Sequence, residues 1–496
     1  MDIGFVEAMQ AEIVKAGTTA EKIELMKMLT DYVNAQKNST ATTISTEPEE
    51  DHNDALGLGL KLSTLIGDDI IFNEGNLWNY NGVVWKHWNE RNLESWVQKN
   101  ARKVDGGGIT VSKLAAYRRT IITDKNRESI KWDNGDKAVV NALNGEIHFK
   151  DNTWVLEPHN KEAFRTSNIN VEFDPTATAP VFDKFLDGMF QGDADIADKR
   201  KVMLEGLGYS LMTHTAYNKF FLLKGSGSNG KSIFLETLQA IVGKGNYTNV
   251  NPAELNKGPQ MAELMGKLIN VAPDLNKGDV LADGPLKQVS SGDSQTADMK
   301  FGHPFQFNPY ATIWMSSNHM PFVKDHSHGF RRRAIVVKLN RIYTEAEKDD
   351  SIAPGVLKEL PGILNMALDA YANVVRTGRF TMPASSENAL REWMLESNSV
   401  EKFIDESFTV TSANDKIELQ SVFTDYLDWC ADENVKHTVK KSEFKSRVIE
   451  VERNIIKVEP GAGNRVHVFG LKHKAGSQVG IVPTFDVVPV TDDKLF

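Results

Sequence analysis

Lys231 and Ser232 close the stretch GSGSNGKS, which runs through Gly225, Ser226, Gly227, Ser228, Asn229 and Gly230. Glycines let backbone N–H groups crowd around phosphate oxygens where a helix begins. The lysine can then reach β- and γ-phosphates, and the serine hydroxyl can ligate Mg²⁺. The flanks suit that chemistry: KFFLLKG before the loop is an apolar strand candidate, and SIFLETLQAIVG after it has helical spacing. The plain alternative is a glycine-rich turn with no ligand. The pattern alone does not separate kinases, GTPases and motors.

Nucleotide hydrolysis needs further groups, and three follow in order. KLINVAPD (267–274) is a buried-strand run ending in Asp274, a carboxylate suited to the Mg²⁺ shell and to polarising water. Glu236 and Asp279 are nearby alternatives. ATIWMSSN (311–318) ends a second buried strand in Asn318, which can hydrogen-bond a γ-phosphate or the attacking water. HGFRRRAIVVKL (328–339) sets three arginines at the entrance of a third apolar strand. A planar, permanently charged fork suits a transferring phosphoryl group, so Arg332 is expected to act in trans on a neighbour's nucleotide, with Arg333 close behind. Each also has a structural reading: a strand-end acid, a turn asparagine, a surface cluster paired with acids.

The succession GSGSNGKS, NVAPDL, LKQVSSGDSQTADMKFGHPFQF, SSNHMPFV and GFRRRAIVV resembles superfamily 3 helicases of the phage/plasmid primase-helicase type, the group that includes the poxvirus primase-helicase. LWNYNGVVWKHW, ALNGEIHF, NVEFDPTATAP and LEGLGYSL are similar to the segment preceding the motor in that family. The likeness covers roughly residues 70–345. It implies an AAA+-like ring, usually hexameric, that hydrolyses ATP between subunits and draws single-stranded DNA through its centre. It also implies Walker A roles for Lys231 and Ser232, a Walker B acid at Asp274, a sensor at Asn318 and a finger at Arg332. Residues 287–303 resemble a pore hairpin, with Lys300 on the DNA backbone, His303 behind it and Lys287 at its start. Two departures stand out. Leu275 follows Asp274 where relatives often carry a second acid, leaving open which group activates water. The clustered carboxylates of a primase are also missing, since GDDI (67–70) lacks a second strand-end acid and DADIADKR (193–200) reads as an exposed acidic face.

At 496 residues, 41% hydrophobic and 25% charged, the chain is too long for one ordinary core. Its net charge of −10 argues against coating DNA over the whole surface but allows a small basic channel. No apolar run is long enough to span a membrane, and the acidic, amphipathic start carries no export signal. The single cysteine, Cys430, rules out internal disulfides and suits a reducing cytoplasm, here that of a bacterial host.

Six segments are expected. Residues 1–54 form helices and a Ser/Thr/acid-rich linker, and 55–180 an N-terminal α+β domain with hairpins at Asn81-Gly82, Asn144-Gly145 and Asp151-Asn152. Residues 181–355 hold a helical collar and the α/β motor, and 356–395 a helical connection. Residues 396–475 read as a winged-helix-like α+β module, and 476–496 as a tail. The locally basic 436–458 segment offers Lys440, Lys441, Lys445 and Arg447 to DNA, with Arg465 on a wing; a solvated face on an assembly domain reads the same residues differently. The acidic, phenylalanine-ended TDDKLF resembles partner-recruiting tails, although a floppy terminus is the plainer reading. The expected function is an ATP- and Mg²⁺-dependent replicative helicase on single-stranded DNA at a fork, with primase, polymerase or single-strand-binding protein as partners and no membrane. The rivals are a helicase-primase with a degenerate primase region, an origin-binding or loader ATPase without processive unwinding, and more distantly a small-molecule kinase.

Overall fold

The computed structural model describes residues 50–104, 109–133, 138–276, 278–298, 304–412, 414–433, 435, 438–451, 456–460 and 465–474. The expected N-terminal helices, most of the expected linker, the tail, Lys300 and His303 lie outside them.

The chain divides into two compact units, residues 1–77 with 88–127 and residues 78–87 with 128–496. The first holds α1 (Glu50–Ile66), β1 (Ile70–Asn73), α2 (Glu90–Asn100) and α3 (Val111–Asp124). Asn89 and Thr110 cap α2 and α3, each side chain accepting a backbone N–H three residues on. Leu58, Leu62, Leu93, Val97, Tyr117 and Ile121 make its core. Gly59 lets α1 lie close to α3, because a Cβ there would meet Thr120 at 2.8 Å.

The three expected hairpin turns are present. Asn81 turns β2 (Asn76–Tyr80) towards β3 (Trp85–Trp88), its Oδ1 accepting from Val83 and Val84 N–H. Asn144-Gly145 and Asp151-Asn152 turn the antiparallel β4 (Val139–Asn141), β5 (Glu146–Lys150) and β6 (Thr153–Glu157). Asp151 and Asn152 take φ of 50° and 65°, the left-handed pair a two-residue hairpin turn requires. Val140, Ile147, Ile169 and Val171 sink into the same core as Phe221, Leu223 and Ile335, and Asn170 N–H donates to Ile241 O at 2.7 Å. Residues 138–171 therefore share the core of the second unit.

The central sheet is five-stranded and parallel, in the order β13-β7-β12-β9-β8, with β7 (Phe220–Lys224), β8 (Tyr247–Thr248), β9 (Ile269–Ala272), β12 (Thr312–Ser317) and β13 (Ala334–Lys338). Its apolar strands are buried on both faces, as parallel sheets require. Side chains alternate between two layers. Phe221, Leu223, Val271, Trp314, Ile335 and Val337 face α4 (Pro180–Met189), α5 (Ile196–Tyr209), α6 (Lys231–Val242) and α11 (Leu360–Thr377). Phe220, Leu222, Ala272, Met315 and Val336 face α8 (Asp283–Ser291) and α12 (Ala384–Ser397). The short α7 (Gly258–Ala262), α9 (His328–Arg331) and α10 (Ile352–Leu357) complete the unit, with the antiparallel ribbon β10 (Gln295–Asp298) and β11 (Pro304–Phe307).

Phe221 and Trp314 stack at 4.1 Å, and Trp314 Nε1 donates to Ser210 Oγ at 2.8 Å. The glycines of LEGLGYSL serve this packing. A Cβ on Gly206 would strike Phe221 at 2.7 Å, and one on Gly208 the Ala367 carbonyl at 2.4 Å. The acidic run 193–200 is a correction to the expected exposed face. Asp193 turns inward to the fully buried Lys199, Oδ2 to Nζ 2.8 Å, while Lys199 also donates to Lys338 O at 2.9 Å. A buried ammonium has to be paired, and this acid pairs it.

The C-terminal residues have their own core. α13 (Ser399–Ser407), α14 (Leu419–Asp432) and α15 (Lys441–Val451) enclose Phe403, Tyr426, Phe444 and Val448. β14 (Phe408–Val410) pairs with β18 (Leu471–His473), and β17 (Val466–Phe469) lies between β15 (Lys416–Glu418) and β16 (Lys457–Pro460), all antiparallel.

Candidate active site

β7 delivers the chain into the loop 225–230, and α6 begins at Lys231. Gly227 and Gly230 have φ of +102° and +86°, so the turn needs glycine. A Cβ on Gly225 would sit 2.1 Å from the Asn229 amide nitrogen. Asn229 is buried, and its Nδ2 finds no acceptor among the described residues. Leaving a buried donor unmade is costly, so the loop is shaped to meet an acceptor oxygen.

Lys231 is 8% exposed. Its ammonium donates to Gly225 O at 2.5 Å and to Asn318 Oδ1 at 3.4 Å. Burial pulls its pKa below the ordinary lysine value, and the Asp274 carboxylate opposes that shift. Lys231, Asn318 and Asp274 thus meet at the carboxyl edge of the sheet.

Strand order brings them there. β12 lies between β7 and β9, so the asparagine after its last residue falls between loop and acid. Gly225 N–H donates to Ser317 O at 3.2 Å and Leu275 N–H to Ser316 O at 3.1 Å, while the Ser317 hydroxyl donates to Leu275 O at 3.3 Å. Leu275 is buried in the second apolar layer. A carboxylate there would be buried without a partner, which accounts for the apolar residue after Asp274. Of the alternatives, Asp279 accepts from Asn251 Nδ2 and Asn276 N–H, both at 3.0 Å, and so fixes its own loop. Glu236 is exposed on α6 one turn beyond the exposed Ser232, on the same helical face. The oxygens of Ser232 and Asp274 suit Mg²⁺, which takes one or two protein ligands together with phosphate oxygens and water.

The three arginines have different surroundings. Arg331 pairs with Glu401 of α13 at 2.6 Å and donates to His326 O. Arg333 donates to Gly329 O and Ser291 Oγ at 2.6 and 2.7 Å. Arg332 is exposed, and its guanidinium has no partner among the described residues. Lys219, which sequence reasoning passed over, joins this group. Its Nζ donates to Arg332 O at 2.6 Å, and burial with the two neighbouring guanidinium groups brings it down to about 8. The signal was a lysine directly before the phosphate-loop strand. Phe220 N–H donates to Arg333 O, which places the cluster at the amino edge of β7 and β13. The loop leaves the opposite edge, about 16 Å away for a five-residue strand.

Among the proposed DNA contacts, Lys287 is ion-paired with Asp325. Lys300 and His303 lie outside the described residues. Arg447 pairs with Glu443 at 2.7 Å and Arg465 with Glu418 at 3.4 Å, while Lys441 donates to Gln420. Lys440 and Lys445 are exposed, with no partner among the described residues. If both meet phosphates, the double change Lys440→Ala, Lys445→Ala is expected to flatten the salt dependence of single-stranded DNA binding by about 1.4 in log–log slope, measured by fluorescence anisotropy.

Comparison with known proteins adds to this geometry. Residues 60–191 match the model described as D5 N terminal like, and residues 223–333 match a family of unknown function, DUF5906, a span that runs from the phosphate-loop strand to Arg333. A putative helicase, L207/L206, of Acanthamoeba polyphaga mimivirus is 26% identical over 145 residues, 28% of this chain and 15% of that protein. These matches support a phage or viral primase-helicase-like family. The chain spans only a small part of the mimivirus relative. In fold, the apo C-terminal region of NrS-1 superposes with a TM-score of 0.50 at 13% identity, covering 86% of this chain and all of that one. A second apo form of the same region gives 0.47 at 12% identity, over 84% and 99%. No helix among the described residues is long and apolar enough to cross a membrane.

Proposed function

We propose that the chain is an ATP-dependent replicative DNA helicase of a phage or mobile element, acting as a homo-oligomeric ring, a hexamer in the family it resembles, around single-stranded DNA. The observation that carries this reading is the placement of Arg332 and the phosphate loop at opposite edges of one parallel sheet. A free guanidinium there is poorly placed for its own chain's nucleotide and well placed for that of an adjoining copy. The insertion of the Asn318 strand between loop and acid strands supports an AAA+-like, superfamily 3 motor. The separate core and the antiparallel β15-β17-β16 sheet, whose β16 and β17 follow α15, support a winged-helix-like DNA-binding module.

In this reading the loop N–H groups, the Asn229 amide and Lys231 bind the triphosphate. Ser232 and Asp274 would hold Mg²⁺, which would supply positive charge against the triphosphate. Asn318 orients the attacking water and registers loss of the γ-phosphate, and Arg332 completes the neighbour's site. Residues around Lys300 escort the strand.

A fork-unwinding assay with ATP and Mg²⁺ tests the proposal. Processive strand displacement, with ATPase stimulated by single-stranded DNA, is expected. DNA binding and hydrolysis without displacement would indicate a loader. A lone protomer hydrolysing ATP at full rate would overturn the shared-site reading.

A further inference from the structure

A nucleoside is covalently tied to its phosphates, so it must lodge in a space bordering the loop that holds them. Such a space exists. A cavity of about 940 Å³ opens between α4 and the segment 341–355, within the size range of small-molecule sites. Two of its lining residues are fastened to the phosphate loop. Tyr343 N–H donates to Ser228 O at 2.7 Å, and the Phe185 ring lies against Gly230, where a Cβ would meet it at 2.9 Å. The loop residues 225–232 are not themselves in its wall; the cavity adjoins them through Tyr343 and Phe185, which do not line the two smaller cavities of about 10 and 230 Å³.

Tyr343 is held in place before any ligand arrives. The Arg341 guanidinium covers the ring 4.3 Å from its centroid. That guanidinium is fixed in turn, donating to Gly188 O and Glu347 Oε1 at 3.0 Å each and to Gln191 Oε1 at 2.5 Å. A capping box between Thr344 and Glu347 sets the next turn. Gly188 leaves room for the phenol, since a Cβ there would come within 2.6 Å of the Tyr343 oxygen.

Most polar groups on the walls are already engaged. Gln191 accepts from Arg341, Asp187 from Arg200, and Asp349 from the Ser351 hydroxyl and N–H. What the cavity offers a planar ring is the aromatic and aliphatic surface of Phe185, Tyr343 and Ile352, with the Lys184 ammonium at its border.

We infer that this cavity is the nucleoside subsite of the phosphate loop, taking the base and ribose of the bound triphosphate with Tyr343 as the stacking face. The inference rests on the nucleotide reading above and adds the half of the ligand that the loop motif does not address.

Calorimetric titration of the full chain with AMP-PNP and with inorganic tripolyphosphate, each with Mg²⁺, tests it. Tyr343→Ala is expected to weaken AMP-PNP about ten- to hundredfold, the range for loss of base stacking. Tripolyphosphate, which has no base, should bind this variant as it binds the wild type. Tyr343→Phe keeps the ring and should bind both as the wild type does. Unchanged AMP-PNP affinity in Tyr343→Ala would overturn the inference, as would parallel loss of both ligands. Wild-type protein that binds tripolyphosphate but gains nothing from the nucleoside would overturn it alone and spare the phosphate-loop reading. Wild-type protein that binds neither ligand would overturn both.

Discussion

Replacing Arg332 by alanine is expected to lower ATP turnover by about 10³- to 10⁵-fold, the range for loss of a trans-acting arginine. Nucleotide affinity should stay close to wild type, because the phosphate loop of the same chain is untouched. The fold should survive as well. The Arg332 guanidinium is exposed, and the neighbouring Arg331 and Arg333 keep their partners in Glu401 and Ser291. The sharper test mixes two inactive proteins. A seam formed by the phosphate loop of an Arg332→Ala subunit and the arginine of a Lys231→Ala subunit contains every proposed group. Mixed rings should therefore recover part of the ATPase rate that neither variant has alone, read in a coupled phosphate-release assay. No recovery at any ratio would place the arginine outside the neighbour's site.

Lys231→Ala is the second large effect. The ammonium sits where Gly225 O, Asn318 Oδ1 and the Asp274 charge converge, and no other cation among the described residues donates to that loop. Loss of a preorganised donor to a charged transition state costs about 10² to 10³ in turnover, and here ground-state binding to the phosphates is lost too. The expected result is ATPase at background, with triphosphate affinity severely reduced. Normal DNA-stimulated ATPase and unwinding in this variant would refute the assigned roles. Lys231→Met, which keeps the aliphatic bulk in a position only 8% exposed, separates loss of charge from loss of packing.

The legible parts of the fold were those written in local pattern. KFFLLKG, KLINVAPD, ATIWMSSN and RRAIVVKL all became strands of the central sheet, because unbroken apolar runs of that length suit a sheet covered on both faces. The hairpins at Asn81, Asn144 and Asp151 were legible because their turns need particular residues. Partnership was not. Nothing local in DADIADKR tells that Asp193 turns inward to meet Lys199, or that Leu275 belongs to a core layer. Both depend on residues distant in sequence, Lys338 and Ser316 among them. The phosphate loop was legible as a motif, whereas its connection to Tyr343 arises from the path of the chain after β13 and has no spacing signature. Among the three arginines, only the folded chain distinguishes the two that are engaged from the exposed one.

The contact between Arg331 and Glu401 makes the C-terminal core of residues 399–474 more than an appendage. Arg331 ends the short helix from which Arg332 emerges, and the acid opposite it belongs to the first helix of the C-terminal module. A chain ending before α13 would lose the ion-pair partner of Arg331 next to Arg332, leaving its guanidinium only the His326 carbonyl, so under the proposed function its catalytic rate would not represent the intact protein. In the proposed ring, the same contact would couple DNA held by the C-terminal residues to the arginine offered to the adjoining subunit.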